Sequence, residues 1–190
     1  MDEYQLDGAD IDWEYPDAGQ SSQNFLALIL ELRTAMPDKL LATAVVSHGD
    51  NSAGVLSESF ELFDFVNVMT YDGPDHGSMK QFEQGLSFWT ARGLPKEKIV
   101  MGVPFYSHPK GMPKATGVSY AQLVNVDPAA AQTDTLDYIG AIQIYNGIPT
   151  IQAKTKIAMQ QANGIMFWTL DQDAQGEFSL VNAIYQTAHQ

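Results

Sequence analysis

Asp7-Gly8-Ala9-Asp10-Ile11-Asp12-Trp13-Glu14-Tyr15-Pro16 is the stretch that decides how this chain is read. Extended backbone sends successive side chains to opposite faces, so Asp10, Asp12 and Glu14 share one face and Ile11 and Trp13 the other. We read a strand over Leu6–Tyr15, closed by Pro16. Three neighbouring acids repel one another and cannot all ionise without cost, so one proton is expected to be shared and part of the group to titrate above the usual carboxylate range. A carboxylic acid that keeps its proton near neutral pH is what general acid catalysis requires. Two plainer readings compete. A Ca²⁺ site stays open as the lesser reading, although the glycine and closing glutamate of an EF-hand are out of register. A charged, exposed edge strand fits poorly with the buried strands that follow.

Working outward, Ser22–Met36 reads as a helix, with Phe25, Leu28, Ile29, Leu32 and Met36 on one stripe and Pro37 ending it. Leu40–Val46, Phe65–Thr70, Ile99–Tyr106 and Ile165–Leu170 are short apolar runs of the kind that form buried parallel strands. Met79–Arg92, capped by Gly93, Thr150–Gln161 and Ser179–His189 read as further helices. Between Ser107 and about Asp137 no period is evident, and a small hairpin is expected over Tyr138–Tyr145, turning at Asn146-Gly147. Alternation of strand and helix specifies an α/β fold with a parallel sheet, although pattern alone leaves a doubly wound sheet and part of a barrel both open.

The 190 residues form one domain, and 10 Lys and Arg against 23 Asp and Glu give a net charge of −13. That balance argues against nucleic acid or an anionic membrane surface as a partner. With no cysteine there is no disulfide, thiolate metal site or cysteine nucleophile. The four histidines, His48, His76, His108 and His189, show no ligand spacing, so neither metal nor cofactor is expected, and His76 reads as a solvated loop residue. No apolar run reaches the ~20 residues of a membrane span, and the N-terminus lacks a signal-peptide pattern.

Asp7–Pro16 resembles the D-G-x-D-x-D-x-E signature of family-18 glycoside hydrolases, the chitinases and their relatives. Further segments resemble the family in its order: Met69-Thr70-Tyr71-Asp72 its sixth strand, Gly102-Val103-Pro104-Phe105-Tyr106 its seventh, and Gly164-Ile165-Met166-Phe167-Trp168 its eighth. The resemblance implies hydrolysis of β-1,4-linked N-acetylglucosamine chains, chitin or chitooligosaccharides, with the substrate's own acetamido oxygen as nucleophile. It implies Glu14 as acid and then base, Asp12 as the group that holds the acetamido N–H, and Asp10 as its buried partner. Tyr71 would donate to the acetamido carbonyl and Asp72 contact the distorted sugar. Met69 and Tyr106 would line the pocket and Trp168 would floor it, although aromatic and Met side chains are mostly core residues.

The same resemblance implies a (β/α)₈ barrel, which typically needs ~250 residues. The signature strand is the family's fourth, so this chain would carry strands four to eight of an incomplete barrel, lacking the first three, in one partial catalytic domain with a loop and hairpin insertion at about 107–149. Its first and last strands would present unpaired edges, and self-association is the expected result. The full-length parent would be secreted. After the seventh strand the family often has Gly-Arg where this chain has Ser107-His108. Two rivals are action on N-glycan cores as an endo-β-N-acetylglucosaminidase, and an inactive sugar-binding fragment.

Overall fold

A computed structural model describes residues 2–112, 114–115 and 117–190. Five parallel strands form the main sheet: β1 (Gly8–Ile11), β2 (Leu40–Val46), β3 (Phe65–Met69), β4 (Ile99–Pro104) and, after the insertion, β8 (Gly164–Trp168). They lie in the order β1-β2-β3-β4-β8, with Ala9 opposite Leu41, Val46 opposite Met69, Met69 opposite Gly102 and Pro104 opposite Trp168. The sheet does not close into a barrel: β1 and β8 each pair on one side only among the described residues.

Helices α1 (Gln20–Ala35), α2 (Met79–Ala91), α4 (Ile148–Gln161) and α5 (Leu180–Ala188) accompany the sheet. Two of the starts follow from local chemistry: at α2 and α5 the Ser78 and Ser179 hydroxyls accept from the amides of Gln81 and Asn182. Strand alternation divides the sheet into two faces. Leu41, Val45, Val66, Val68, Met101 and Val103 pack into the apolar core with Phe25, Phe82, Trp89 and Ile151. The Trp89 indole donates to the Val46 carbonyl at 2.9 Å, which anchors α2 against β2. The opposite face carries Asp10, Ala44, Asn67 and Met69, which line a cleft.

The insertion is more ordered than its sequence suggests. It holds β5 (His108–Pro109), the short helix α3 (Tyr120–Val126) with a Ser119/Gln122 capping box, and the antiparallel hairpin β6 (Thr135–Tyr138) and β7 (Ala141–Ile144), in the sheet order β5-β7-β6. The hairpin turns at Ile139-Gly140, where φ is 55° and 69°, and not at the expected Asn146-Gly147. Two successive positive φ values suit the twist of a tight hairpin, but a β-branched first residue hides the signal in sequence. Asn146-Gly147 instead leads into α4.

The signature strand is also shorter than expected. Pairing ends at Ile11, and Asp12, Trp13 and Glu14 continue past the sheet as an exposed segment.

Candidate functional site

Parallel strands place their C-terminal ends together, and ligands of α/β folds bind at that end. Here the ends of β1, β3, β4 and β8 surround a cleft of about 390 Å³. Asp10, Asp12, Glu14, Met69, Tyr71, Asp72, Tyr106 and Trp168 all border it, so the eight residues singled out in the sequence share one wall system. A larger groove of about 610 Å³ lies along α2 beside His48 and Phe88, but it is shallow and has no convergent carboxylates.

The acidic wall rises from β1. Partial desolvation by the cleft walls holds the Asp10 carboxyl above its ordinary range although the residue as a whole is exposed, opposed by the Asn67 amide, which donates to Asp10 Oδ1 at 3.2 Å. The Asp12 carboxyl is also raised, first by burial, then by the Glu14 charge and carboxyl contact, and last by Asp10. The expectation that Asp10 is buried needs correction. It is exposed, because β1 is a sheet edge and nothing among the described residues covers its outer side.

Opposite stands an aromatic wall. Tyr71 is buried, its ring packs edge-on against Tyr106 at 6.2 Å, and its hydroxyl donates to Met166 Sδ at 3.8 Å. Burial first, then the charge of Asp72, keeps the Tyr71 phenol far above its usual titration range, so it stays a hydrogen-bond donor. Gly102 lies beneath it: a methyl group there would meet the Val68 carbonyl and the Met166 methyl at 2.8 Å and Tyr71 Cε1 at 2.9 Å. Trp168, 57% exposed, offers a broad apolar face at the mouth.

Three residues that periodicity could not find hold the loop after β3. Gln81, on the first turn of α2, donates through Nε2 to the carbonyls of Tyr71 and Asp72 and accepts from the Gly77 amide. His76 is buried, contrary to the solvated loop residue expected. Its Nδ1 accepts from the Asp72 amide at 2.9 Å and its Nε2–H donates to the Tyr106 carbonyl at 3.1 Å. Burial brings the His76 ring down to about 4, so it is neutral across the physiological range. His108, on β5, reaches Asp72 Oδ1 with Nε2 at 2.9 Å. Asp72 itself has φ 61°, a left-handed conformation that these contacts maintain.

Two of the four histidines expected to be scattered therefore meet. Asp72, His76 and His108 bring three candidate ligand atoms within 4.8 Å of one another. Both ring nitrogens of each of these two histidines face protein hydrogen-bond partners, so the three residues form a hydrogen-bonded cluster.

Residues 1–173 match the model of glycosyl hydrolases family 18. The crystal structure of the GH18 chitinase ChiB from Flavobacterium johnsoniae superimposes with a TM-score of 0.85 at 33% identity, over 98% of this chain and 62% of that one. A probable endochitinase of Caenorhabditis elegans is 30% identical over 132 residues, 53% of this chain and 21% of its own length. The fold is shared with a plant class V chitinase mutant from Cycas revoluta, solved in complex with (GlcNAc)3, at a TM-score of 0.79 and 20% identity over 98% of this chain and 69% of that one. The chain thus spans less than two thirds of the Caenorhabditis and Flavobacterium relatives.

Proposed function

Because this chain belongs to glycosyl hydrolases family 18, we propose that it carries the catalytic residues of a chitinase, acting on β-1,4-linked N-acetylglucosamine chains with retention at the anomeric carbon. The observation that carries this reading is the period-two presentation of Asp10, Asp12 and Glu14 opposite Tyr71 and Asp72, with Trp168 at the mouth of the same cleft. Glu14 gives its proton to the glycosidic oxygen as the C1–O bond breaks, and the substrate's acetamido oxygen closes on C1. Asp12 accepts from the acetamido N–H and offsets the charge of the resulting oxazolinium ion, while the Tyr71 hydroxyl donates to the acetamido oxygen and fixes the angle of attack. Glu14 then takes a proton from the water that opens the ring. This is the substrate-assisted exception to the two-carboxylate scheme. The Asp10 and Asp12 carboxyls, both held above their ordinary range, support it, since that is the direction expected for neighbouring acids that compete for ionisation.

In this reading the five strands are the fourth to eighth of a (β/α)₈ barrel, the chain is one partial catalytic domain, and its parent is extracellular. No helix among the described residues is long and apolar enough to cross a membrane. The unclosed sheet favours a second reading, a sugar-binding cleft without turnover, because β1 and β8 each pair on one side only among the described residues. The experiment that separates them is release of fluorophore from a chitotriose conjugate by the 190-residue chain beside Glu14→Gln. Turnover lost by at least 10²-fold in the variant supports the chitinase. Equal background in both, with chitotriose still bound, supports the binding cleft.

A further inference from the structure

We infer that His108 is a positioning residue that holds Asp72 as an imidazolium ion, so that the geometry of this wall of the cleft depends on a proton. The ring is bracketed by two oxygens: Nε2 lies 2.9 Å from Asp72 Oδ1 and Nδ1 lies 2.8 Å from the Ala115 carbonyl. A carbonyl and a carboxylate only accept hydrogen bonds, whereas a neutral imidazole has one N–H and one lone pair. Both contacts are satisfied together only when both nitrogens carry protons. Were the ring neutral, an Nε2 lone pair would face the carboxylate, or an Nδ1 lone pair the carbonyl.

His76, 4.3 Å away ring to ring, makes the contrast. One of its partners is an amide N–H and the other a carbonyl, a pair that suits one lone pair and one N–H, hence the neutral ring. The two adjacent histidines are thus assigned opposite charge states by their partners. Other groups face His108 as well. The Tyr106 hydroxyl donates to the same Asp72 Oδ1, while Lys110 and Asp75, the latter ion-paired with Lys80, line the shallow cleft outside the ring. Asp72 is the carboxylate in contact, and its bond to a cation is the charge-assisted kind, roughly twice as strong as a neutral one.

The insertion explains how the histidine arrives. β5 pairs with β7, His108 opposite Ile144, and the preceding Ser107 is pinned by its amide to the Val118 carbonyl and by its hydroxyl to Gln143. A small sheet therefore delivers one cation to the cleft wall. With His108 charged, Asp72 Oδ1 is occupied by His108 and Tyr106, and Oδ2 is left for a sugar hydroxyl. Without that proton an Nε2 lone pair faces the carboxylate, the contact turns repulsive, and Asp72 is released. The catalytic consequence rests on the chitinase reading; the charge state does not.

The test uses the full chain labelled with ¹⁵N-histidine, whose two-bond ¹H–¹⁵N spectra report which nitrogens carry protons. At about pH 6.5, the midpoint of an ordinary histidine, His108 is expected to be doubly protonated and His76 singly protonated at Nε2. In Asp72→Asn the doubly protonated form of His108 should fall, at the same pH, toward the roughly half occupancy of a histidine without a carboxylate partner. A neutral His108 in the wild type, or no response to Asp72→Asn, overturns the inference. In the kinetic arm, KM for the chitotriose conjugate should rise roughly tenfold from slightly acid to slightly alkaline pH, the loss of one charge-assisted hydrogen bond. In His108→Arg, whose cation does not titrate there, the rise should vanish. Parallel KM profiles overturn the positioning role. The expected spectra without turnover in any variant uphold the pair and refute the chitinase reading alone.

Discussion

Adding a single methyl group in Gly102→Ala probes the link between the sheet and the site. Gly102 is on the cleft face of β4, under the ring of Tyr71, and the added carbon would lie 2.8 Å from the Val68 carbonyl and 2.9 Å from Tyr71 Cε1. Unstrained contacts between carbon atoms fall at about 3.5–4.0 Å, so roughly 0.6–1 Å must be recovered by movement. The Met166 methyl, also 2.8 Å away, ends a flexible side chain and can swing aside. The Val68 carbonyl is held in the β3–β4 ladder, so the displacement falls on Tyr71. Overpacking of this kind costs about 1–3 kcal/mol, and the stiffer unfolded chain returns about 0.4–1 kcal/mol. The net loss is roughly 0–2.6 kcal/mol, a fall in Tm of up to about 10 °C at about 2–4 °C per kcal/mol for a chain of this size. A catalytic group moved by about 1 Å can lose about 10²-fold in rate. The assay pairs calorimetric melting with kcat/KM on the chitotriose conjugate, and Gly164→Ala, with no atom within 4 Å of its added methyl, is the control. The control should melt no lower than wild type. If Gly102→Ala keeps both the wild-type Tm and the wild-type kcat/KM, the account of Tyr71 as seated on an empty position is wrong.

Two further predictions follow from the buried lysine and the open sheet. The Lys154 ammonium is fully buried, donates to the Gly77 carbonyl and Asn146 Oδ1, and burial lowers it to about 7. Between that value and the ordinary 10.5 the unfolded chain holds a proton that the folded chain lacks, so stability should rise with pH, by on the order of 1 kcal/mol per pH unit. Below about pH 7 the contribution is at its minimum. Lys154→Met should flatten this slope in urea unfolding at several pH values and cost about 1–3 kcal/mol through the stranded Asn146 carbonyl; an unchanged slope would refute the assignment. For the open sheet, the unpaired edges of β1 and β8 should make the 20.9 kDa chain sediment increasingly above its monomer mass as concentration rises. A monomer throughout would show that the edges are protected in solution.

Much of this molecule is legible in local pattern. Buried parallel strands are continuous apolar runs, so Leu40–Val46 reads as β2 at its exact bounds, and α2 lies within the helix read over Met79–Arg92. The alternation of Asp10, Asp12 and Glu14 puts three acids on one side of an extended segment, and that same side faces the cleft. Period, capping and turn chemistry are properties of neighbouring residues, which is why they survive in sequence. What the tertiary structure decides is who meets whom. His108 and Asp72 are 36 residues apart and Lys154 and Gly77 are 77 apart, and no spacing rule connects them. The order of β5, β7 and β6 brings the histidine to the carboxylate, and the packing of α4 takes the lysine out of water. Burial and charge state follow from those meetings, because desolvation and hydrogen-bond partners exist only once the chain has closed around the group. So His76 reads as a solvated loop histidine in sequence and becomes a buried neutral strut in the fold, and Asp10 reads as buried yet stands exposed at a sheet edge.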